Sequence, residues 1–105
     1  MSKKKDNLYK LKSNVLKALA HPTRLKIVEF LSKGEACVCK IVELAGRERT
    51  GVSKHLSILV KNRILSSRKK GLWVYYKLEM QCAVRFLSCS AEIVRDNAKN
   101  KRRNK

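Results

Sequence analysis

The sequence predicts a mainly α-helical domain carrying one small β-hairpin, and three observations lead there. Apolar residues recur at three- and four-residue spacing through most of the chain. Between Ile64 and Leu78 that period gives way to alternation. At 105 residues there is room for one domain, whose modest core makes help from a second subunit plausible.

The elements follow in order. Residues 1–7 are polar and basic and read as a disordered arm, or one ordered only on a polyanion. Leu8, Leu11, Val15 and Leu19 mark a first helix with one apolar face. Pro22, the only proline, suits the first position of a second helix running to about Ser32, because its missing N–H would be unpaired there anyway. Val38, Ile41, Val42 and Leu44 begin a short third helix that ends at Gly46. Val52, Leu56 and Leu59 define a fourth, with Ser53, Lys54, His55 and Ser57 on its other face. "ILSSRKKGLWVYYKL" reads as a hairpin turning at "RKKG". Cys82, Phe86, Cys89 and Ile93 share a stripe of a last helix, widened by Val84, Leu87, Ala91 and Val94. Residues 97–105 form a second disordered basic tail, leaving 8–96 as the folded domain.

The charge narrows the partners. The chain holds 26 Lys plus Arg against 8 Asp plus Glu, a formal +18 that calls for a polyanion: nucleic acid first, an anionic membrane surface second. Neither a transmembrane helix nor a signal peptide is legible, which points to the cytoplasm. Thiols stay reduced there, so Cys37, Cys39, Cys82 and Cys89 read as packing residues, metal ligands or redox sensors rather than disulfides.

Helix, helix, short helix, helix, hairpin, helix is the order of a winged helix-turn-helix, with the fourth helix placed to enter the DNA major groove. Ser53, Lys54 and His55 would reach base edges or phosphates from it, and Arg49 and Thr50 would bind phosphate near its N-terminus. Arg68, Lys69 and Lys70 at the hairpin tip would contact the backbone or the minor groove. Trp73 and Tyr75 could instead stack on single-stranded bases, but one face of such a hairpin normally packs on the helices. The broad stripe of the last helix, with Phe86, Cys89 and Ile93, calls for the same helix of a second subunit, making a homodimer.

"LKALAHPTRLKIVEFL", "ACVC", "GVSKHLSIL" and "RKKGLWVYYKL", in that order from about Leu16 to Leu78, resemble the ArsR/SmtB family of metal- and stress-responsive repressors. The resemblance implies a homodimeric repressor that leaves double-stranded operator DNA when an inducer binds. It departs from the family in places. Glu48 and Arg49 replace a small polar residue and a frequent glutamine at the opening of the recognition helix. His21 stands where aspartate is usual, making it a poor helix cap, and His55 matches a family histidine with a packing or DNA-contact role. Neither histidine is expected to have the other nearby. The acidic and histidine residues of a last-helix zinc site are missing.

The resemblance also gives meaning to the paired thiols. In relatives that sense arsenite, antimonite, cadmium or lead, the third helix opens with Cys-Val-Cys, matched here by Cys37 and Cys39. Soft thiolates suit such ions. A one-residue gap puts both sulfurs on one side of an extended backbone but about 200° apart in a regular helix, so sharing an ion would require the helix start to unwind. Ala36 and Lys40 replace the usual flanks, and Val42 replaces a frequent third thiol. Cys82 or Cys89 is then the candidate third ligand. The two are about 10 Å apart along a helix and cannot both serve one ion from a single chain. On the apolar stripe each could equally be packing.

Two other readings stand beside the metal-released repressor. One is a thiol redox or persulfide switch in the same fold, with Lys40 lowering a thiol pKa. The other is an architectural DNA- or RNA-binding protein acting through charge alone. No cofactor is required for folding. An enzyme is disfavoured by the lack of paired carboxylates, a glycine-rich phosphate loop or a Cys with a recognisable histidine base.

Overall fold

A computed structural model describes residues 3–103. The order is α1 (Lys3–Leu19), α2 (Pro22–Leu31), β1 (Ala36–Cys37), α3 (Val38–Ala45), a 3-10 segment (Gly46–Gly51), α4 (Val52–Lys61), β2 (Leu65–Lys70), β3 (Trp73–Leu78) and α5 (Ala83–Arg103). This is a winged helix-turn-helix, as the sequence predicts.

The core forms where the inward faces of α2, α3 and α4 meet the base of the hairpin. Ile27, Val28, Ile41, Leu56, Leu59 and Ile64 are fully buried there, and Leu65 and Leu78 close the wing onto them. Burying each such side chain stabilises by about 1.5–3 kcal/mol. Among the described residues no buried side-chain polar atom lacks a partner.

The end of α4 is built with care, because it aims the wing. Arg63 sits at φ 59, and the Arg63 and Ile64 N–H groups donate to the Val60 and Leu59 carbonyls at 3.0 Å each. That is a Schellman closure, with Leu59 and Ile64 both buried at its apolar seal. Ile64 then accepts from the N–H groups of Glu79 and Met80, tying the start of the wing to its end.

The sheet has three strands in the order β1-β3-β2, all antiparallel. The third strand is not legible in the sequence: β1 is only two residues, Ala36 opposite Tyr76 and Cys37 opposite Tyr75. The hairpin also turns later than expected. β2 and β3 run in register from Leu65↔Leu78 to Lys70↔Trp73, so the connection is Gly71–Leu72, with Gly71 at φ 64. Arg68 and Lys69 therefore lie on a strand, and only Lys70 abuts the turn.

The expected arm and tail differ from the structure over residues 3–7 and 97–103, which are outer turns of α1 and α5. Lys, Arg and Ala lose little side-chain freedom in a helix, so a charged run continues a helix that an amphipathic stretch has begun. Residues 1–2 and 104–105 lie outside the described part. Cys82 precedes α5 rather than starting its stripe. That stripe also divides: Ala83, Val84 and Leu87 pack inward, while Phe86, Ile93 and Val94 are more than half exposed.

Candidate nucleic-acid interface and thiol site

The helix-turn-helix presents a polar, basic surface. Ser53, Lys54, Ser57 and Lys61 are exposed along α4, and Arg49 and Thr50 are exposed on the 3-10 segment leading into it. Their spacing places Ser53, Ser57 and Lys61 on one helical row. Gly51 ends the 3-10 segment, and no side chain caps α4.

His55 does not join that exposed row. It is half-buried and turned toward α2, where its Nδ1 accepts from Arg24 Nε at 3.0 Å. Its ring lies 4.4 Å from the His21 ring, centroid to centroid, so the two histidines are neighbours, contrary to expectation. They are far apart in the chain, and only the packing of α4 on α2 joins them. His21 is also a better cap than its residue type suggests: its Nδ1 accepts the Thr23 N–H at 3.1 Å from an extended backbone. Arg24 Nη1 reaches the Ala18 carbonyl at 3.3 Å. One arginine thus braces α1, α2 and the recognition helix.

On the wing, Lys69 and Lys70 are exposed and Leu72 at the turn is 93% exposed. Arg68 is engaged instead. Its Nε and Nη2 donate to the two oxygens of Glu35 at 2.8 and 2.6 Å, a bidentate pair. That bond holds the Glu35 carboxyl below its ordinary range and raises Arg68 further. The guanidinium also lies 5.7 Å from the Tyr75 ring centroid, within cation–π range.

The thiols meet where β1 becomes α3. Cys37 is the N-cap, at φ −68 and ψ 148, and its sulfur accepts from the Cys39 N–H at 3.5 Å. The Cys39 thiol donates to the Cys37 sulfur at 2.9 Å. The expected unwinding is therefore unnecessary: Cys37 lies outside the helix, so the sulfurs already converge. The hydrogen bond to Cys37 pushes the Cys39 thiol up, with desolvation and the second sulfur adding to it. Lys40 acts in the opposite direction, as expected, but is outweighed. A groove of about 460 Å³ runs beside the pair, lined by Glu35, Ala36, Cys37, Cys39, Lys40, Trp73 and Tyr75.

Cys82 and Cys89 are exposed. Among the described residues no three or more His, Cys, Asp or Glu side chains gather to hold a metal, so one chain brings neither cysteine to the Cys37–Cys39 pair.

Comparison with known proteins fits this geometry. The family described as "Bacterial regulatory protein, arsR family" matches residues 21–67. An uncharacterised HTH-type transcriptional regulator of Methanocaldococcus jannaschii is 39% identical over 69 residues, 65% of this chain and 78% of that one. The chain belongs to the arsR family.

An arsR-family relative of known role, the arsenical resistance operon repressor of Staphylococcus xylosus, is 39% identical over 70 residues, 67% of each chain. Among solved structures, the homodimeric winged helix-turn-helix DNA-binding domain of Mb0332 from Mycobacterium bovis superposes with a TM-score of 0.77 at 26% identity, covering 95% of this chain and 93% of that one. These relatives carry the names of transcriptional regulators, not of enzymes. No helix among the described residues is long and apolar enough to cross a membrane. The features missed in the sequence, Glu35 with Arg68 and His21 with Arg24 and His55, all join residues far apart in the chain and carry no local signal.

Proposed function

We propose that this arsR-family protein is a cytoplasmic, homodimeric repressor that binds double-stranded operator DNA and is released by a thiophilic metal or metalloid at Cys37 and Cys39. Arsenite is the leading inducer, with cadmium and lead as alternatives. The single observation that carries the reading is the convergence of the two sulfurs at the end of β1, a strand paired directly with the wing.

On the DNA side, Ser53 and Lys54 read base edges from α4, Arg49 and Thr50 hold phosphate, and Lys69 and Lys70 hold the backbone beside the wing. Arg68 joins them only when released from Glu35. His55 acts as a brace rather than a contact.

Release follows from the position of the thiols. A zinc-sized ion bonds sulfur at about 2.3 Å and larger ions at longer range, so sulfurs 2.9 Å apart must open to share one. Ligation replaces both the S–H···S bond and the cap on the Cys39 N–H. The strain passes along β1 to β3 and the wing, and through α3 to the turn before α4. An ion that binds the distorted state more tightly shifts the population away from DNA.

A second copy is needed for an operator with two half-sites. Phe86, Ile93 and Val94 on α5 and Leu8, Leu11 and Leu16 on α1 are about half exposed or more. An apolar pocket of about 230 Å³ opens beside Leu16 and Phe86. These surfaces support an α1–α5 dimer, which could also bring Cys82 or Cys89 of the partner subunit toward the thiol pair as a third ligand.

The test is operator binding under reducing conditions with and without arsenite and cadmium. Stoichiometric binding with release supports the reading. Release only by oxidant, with no ion bound, overturns it.

A further inference from the structure

The wing ends in a side chain that packing does not account for. Leu65 and Leu78 are buried at its base, and the paired register runs out to Lys70↔Trp73, so the tip stands about 17 Å beyond the core. Gly71 has a positive φ and Leu72 does not, the pattern of a type II′ turn, which requires glycine only at its first central position. The turn does not ask for leucine at the second, where a polar residue would serve the fold as well. Yet Leu72 is 93% exposed, the most exposed large apolar side chain among the described residues.

The surroundings of Leu72 identify what would cover it. Successive strand residues project to opposite faces, so Lys69 and Lys70, both exposed, put one ammonium on each side of the ribbon just behind the tip. No Asp or Glu stands between Leu65 and Leu78, and Glu35, which approaches from β1, has both oxygens on Arg68. An apolar point between two cations complements a groove with phosphates along each wall and stacked bases at its floor. The minor groove of a duplex has that form. Two strands about 4.8 Å apart, with their side chains, are too broad for a groove about 6 Å wide, so only the tip side chain can enter. A reach of about 17 Å is also about half a helical turn of DNA, the distance from a major groove holding α4 to the next minor groove. The Glu35–Arg68 pair and the Arg68–Tyr75 contact brace the ribbon part-way along, which presents the tip at a fixed angle.

We propose that Leu72 is an apolar wedge that enters the minor groove beside the site read by α4 and partly unstacks one base step, bending the duplex. This rests on operator binding by α4 and gives the wing a part beyond anchoring. Lys69 and Lys70 hold the phosphates on the two sides while the leucine lies against the opened bases. A wedge of this kind costs least at a pyrimidine–purine step, which unstacks readily, so the wing selects such a step at a position that no hydrogen bond reads.

The test uses the full-length protein and the duplex that it selects from a random-sequence library. 2-Aminopurine placed in turn at each step flanking the α4 site reports unstacking by its fluorescence, and energy transfer between dyes on the duplex ends reports bending. Wild-type binding should raise the fluorescence at a flanking pyrimidine–purine step and bring the ends closer. Leu72→Ala should keep the melting temperature, abolish both signals and bind about tenfold more weakly. Leu72→Met, also an apolar wedge, should retain both signals. Replacing that step by AA should weaken the wild type and leave Leu72→Ala unaffected. If Leu72→Ala unstacks and bends the duplex as the wild type does, the wedge is overturned while the operator reading stands. The same holds if Leu72→Ala loses binding to phosphatidylserine–phosphatidylcholine vesicles but not to DNA, which would make the tip a membrane contact. If the wild type selects no duplex, the operator reading falls and the wedge with it.

Discussion

Arg24 donates through Nε to Nδ1 of His55 at 3.0 Å, fixing the recognition helix to α2 from a side chain that also holds the Ala18 carbonyl. His55→Phe keeps a ring against His21 but removes the acceptor. It should lower stability by about 1 kcal/mol and weaken operator binding, with the salt dependence of binding unchanged. Denaturant titration beside operator titration at two salt concentrations checks this. A changed salt slope would make His55 a phosphate contact after all.

Base reading and backbone anchoring should separate by element. Ser53→Ala and Lys54→Ala should each cost about 1–3 kcal/mol of specific binding, the worth of a hydrogen bond to a base edge, and leave binding to random DNA nearly intact. Lys69→Gln with Lys70→Gln should weaken binding to every sequence and flatten the salt slope by roughly one for each phosphate no longer neutralised. Competition with unrelated duplex distinguishes the two patterns. Loss of specificity from the wing pair alone would reverse the assignment.

The Glu35–Arg68 pair should behave as a restraint on the wing. Its carboxyl is held low by the guanidinium, so the pair is fully present above the ordinary carboxylate range and is lost as pH falls through the lowered value. The stabilities of wild type and Glu35→Gln should therefore differ at neutral pH and converge in acid, by an amount kept small by solvent screening. Glu35→Gln should also free Arg68 for phosphate, steepening the salt slope by about one unit. Melting curves across pH, with salt-dependent DNA binding, test both.

What the sequence discloses and what it hides divide along one physical line. Val52, Leu56 and Leu59 mark α4 because a helix writes its buried face at a period of 3.6, and Trp73 to Leu78 mark β3 because a strand alternates. Such signals are local. β1 is two residues long and has no period, so the extended backbone at Cys37 is invisible in the sequence; the apolar spacing starts the helix at Val38, where α3 does begin, and only the resemblance put Cys37 inside it. The pairing of Glu35 with Arg68, 33 residues away, exists only once β1 lies beside β3. At the outer turns of α1 and α5 the difference runs the other way: charge suggests disorder where helix propensity continues the elements inward of them.

The proposed dimer can be tested at one side chain. Phe86 is half exposed on the outward face of α5, so Phe86→Asp should leave the folded monomer intact while placing a charge in the proposed subunit interface. Sedimentation should show monomer, and operator affinity should fall because two half-sites are no longer bound as one unit. A wild-type chain that sediments as monomer at tens of micromolar would remove the dimer from the proposal.

Cys37→Ser and Cys39→Ser each change one atom at the start of α3 and leave α4 and the wing in place. Both variants should fold, bind the operator and resist release by inducer. Cys82→Ser and Cys89→Ser remove exposed thiols, so neither should lower the melting temperature; if one blocks release, it is a ligand contributed across the dimer. Proton balance separates the inducers further. With Cys39 pushed up by its bond to Cys37, that thiol is protonated at neutral pH, and a divalent cation such as cadmium must displace its proton. Cadmium affinity should rise with pH toward the thiol range, whereas arsenite, which carries the protons away as water, should show a much flatter dependence. In Cys37→Ala the side chain that accepts from the Cys39 thiol is gone, so the alkylation midpoint of Cys39 should move to lower pH. Release by arsenite or cadmium that persists in the variant lacking both Cys37 and Cys39 would refute the site.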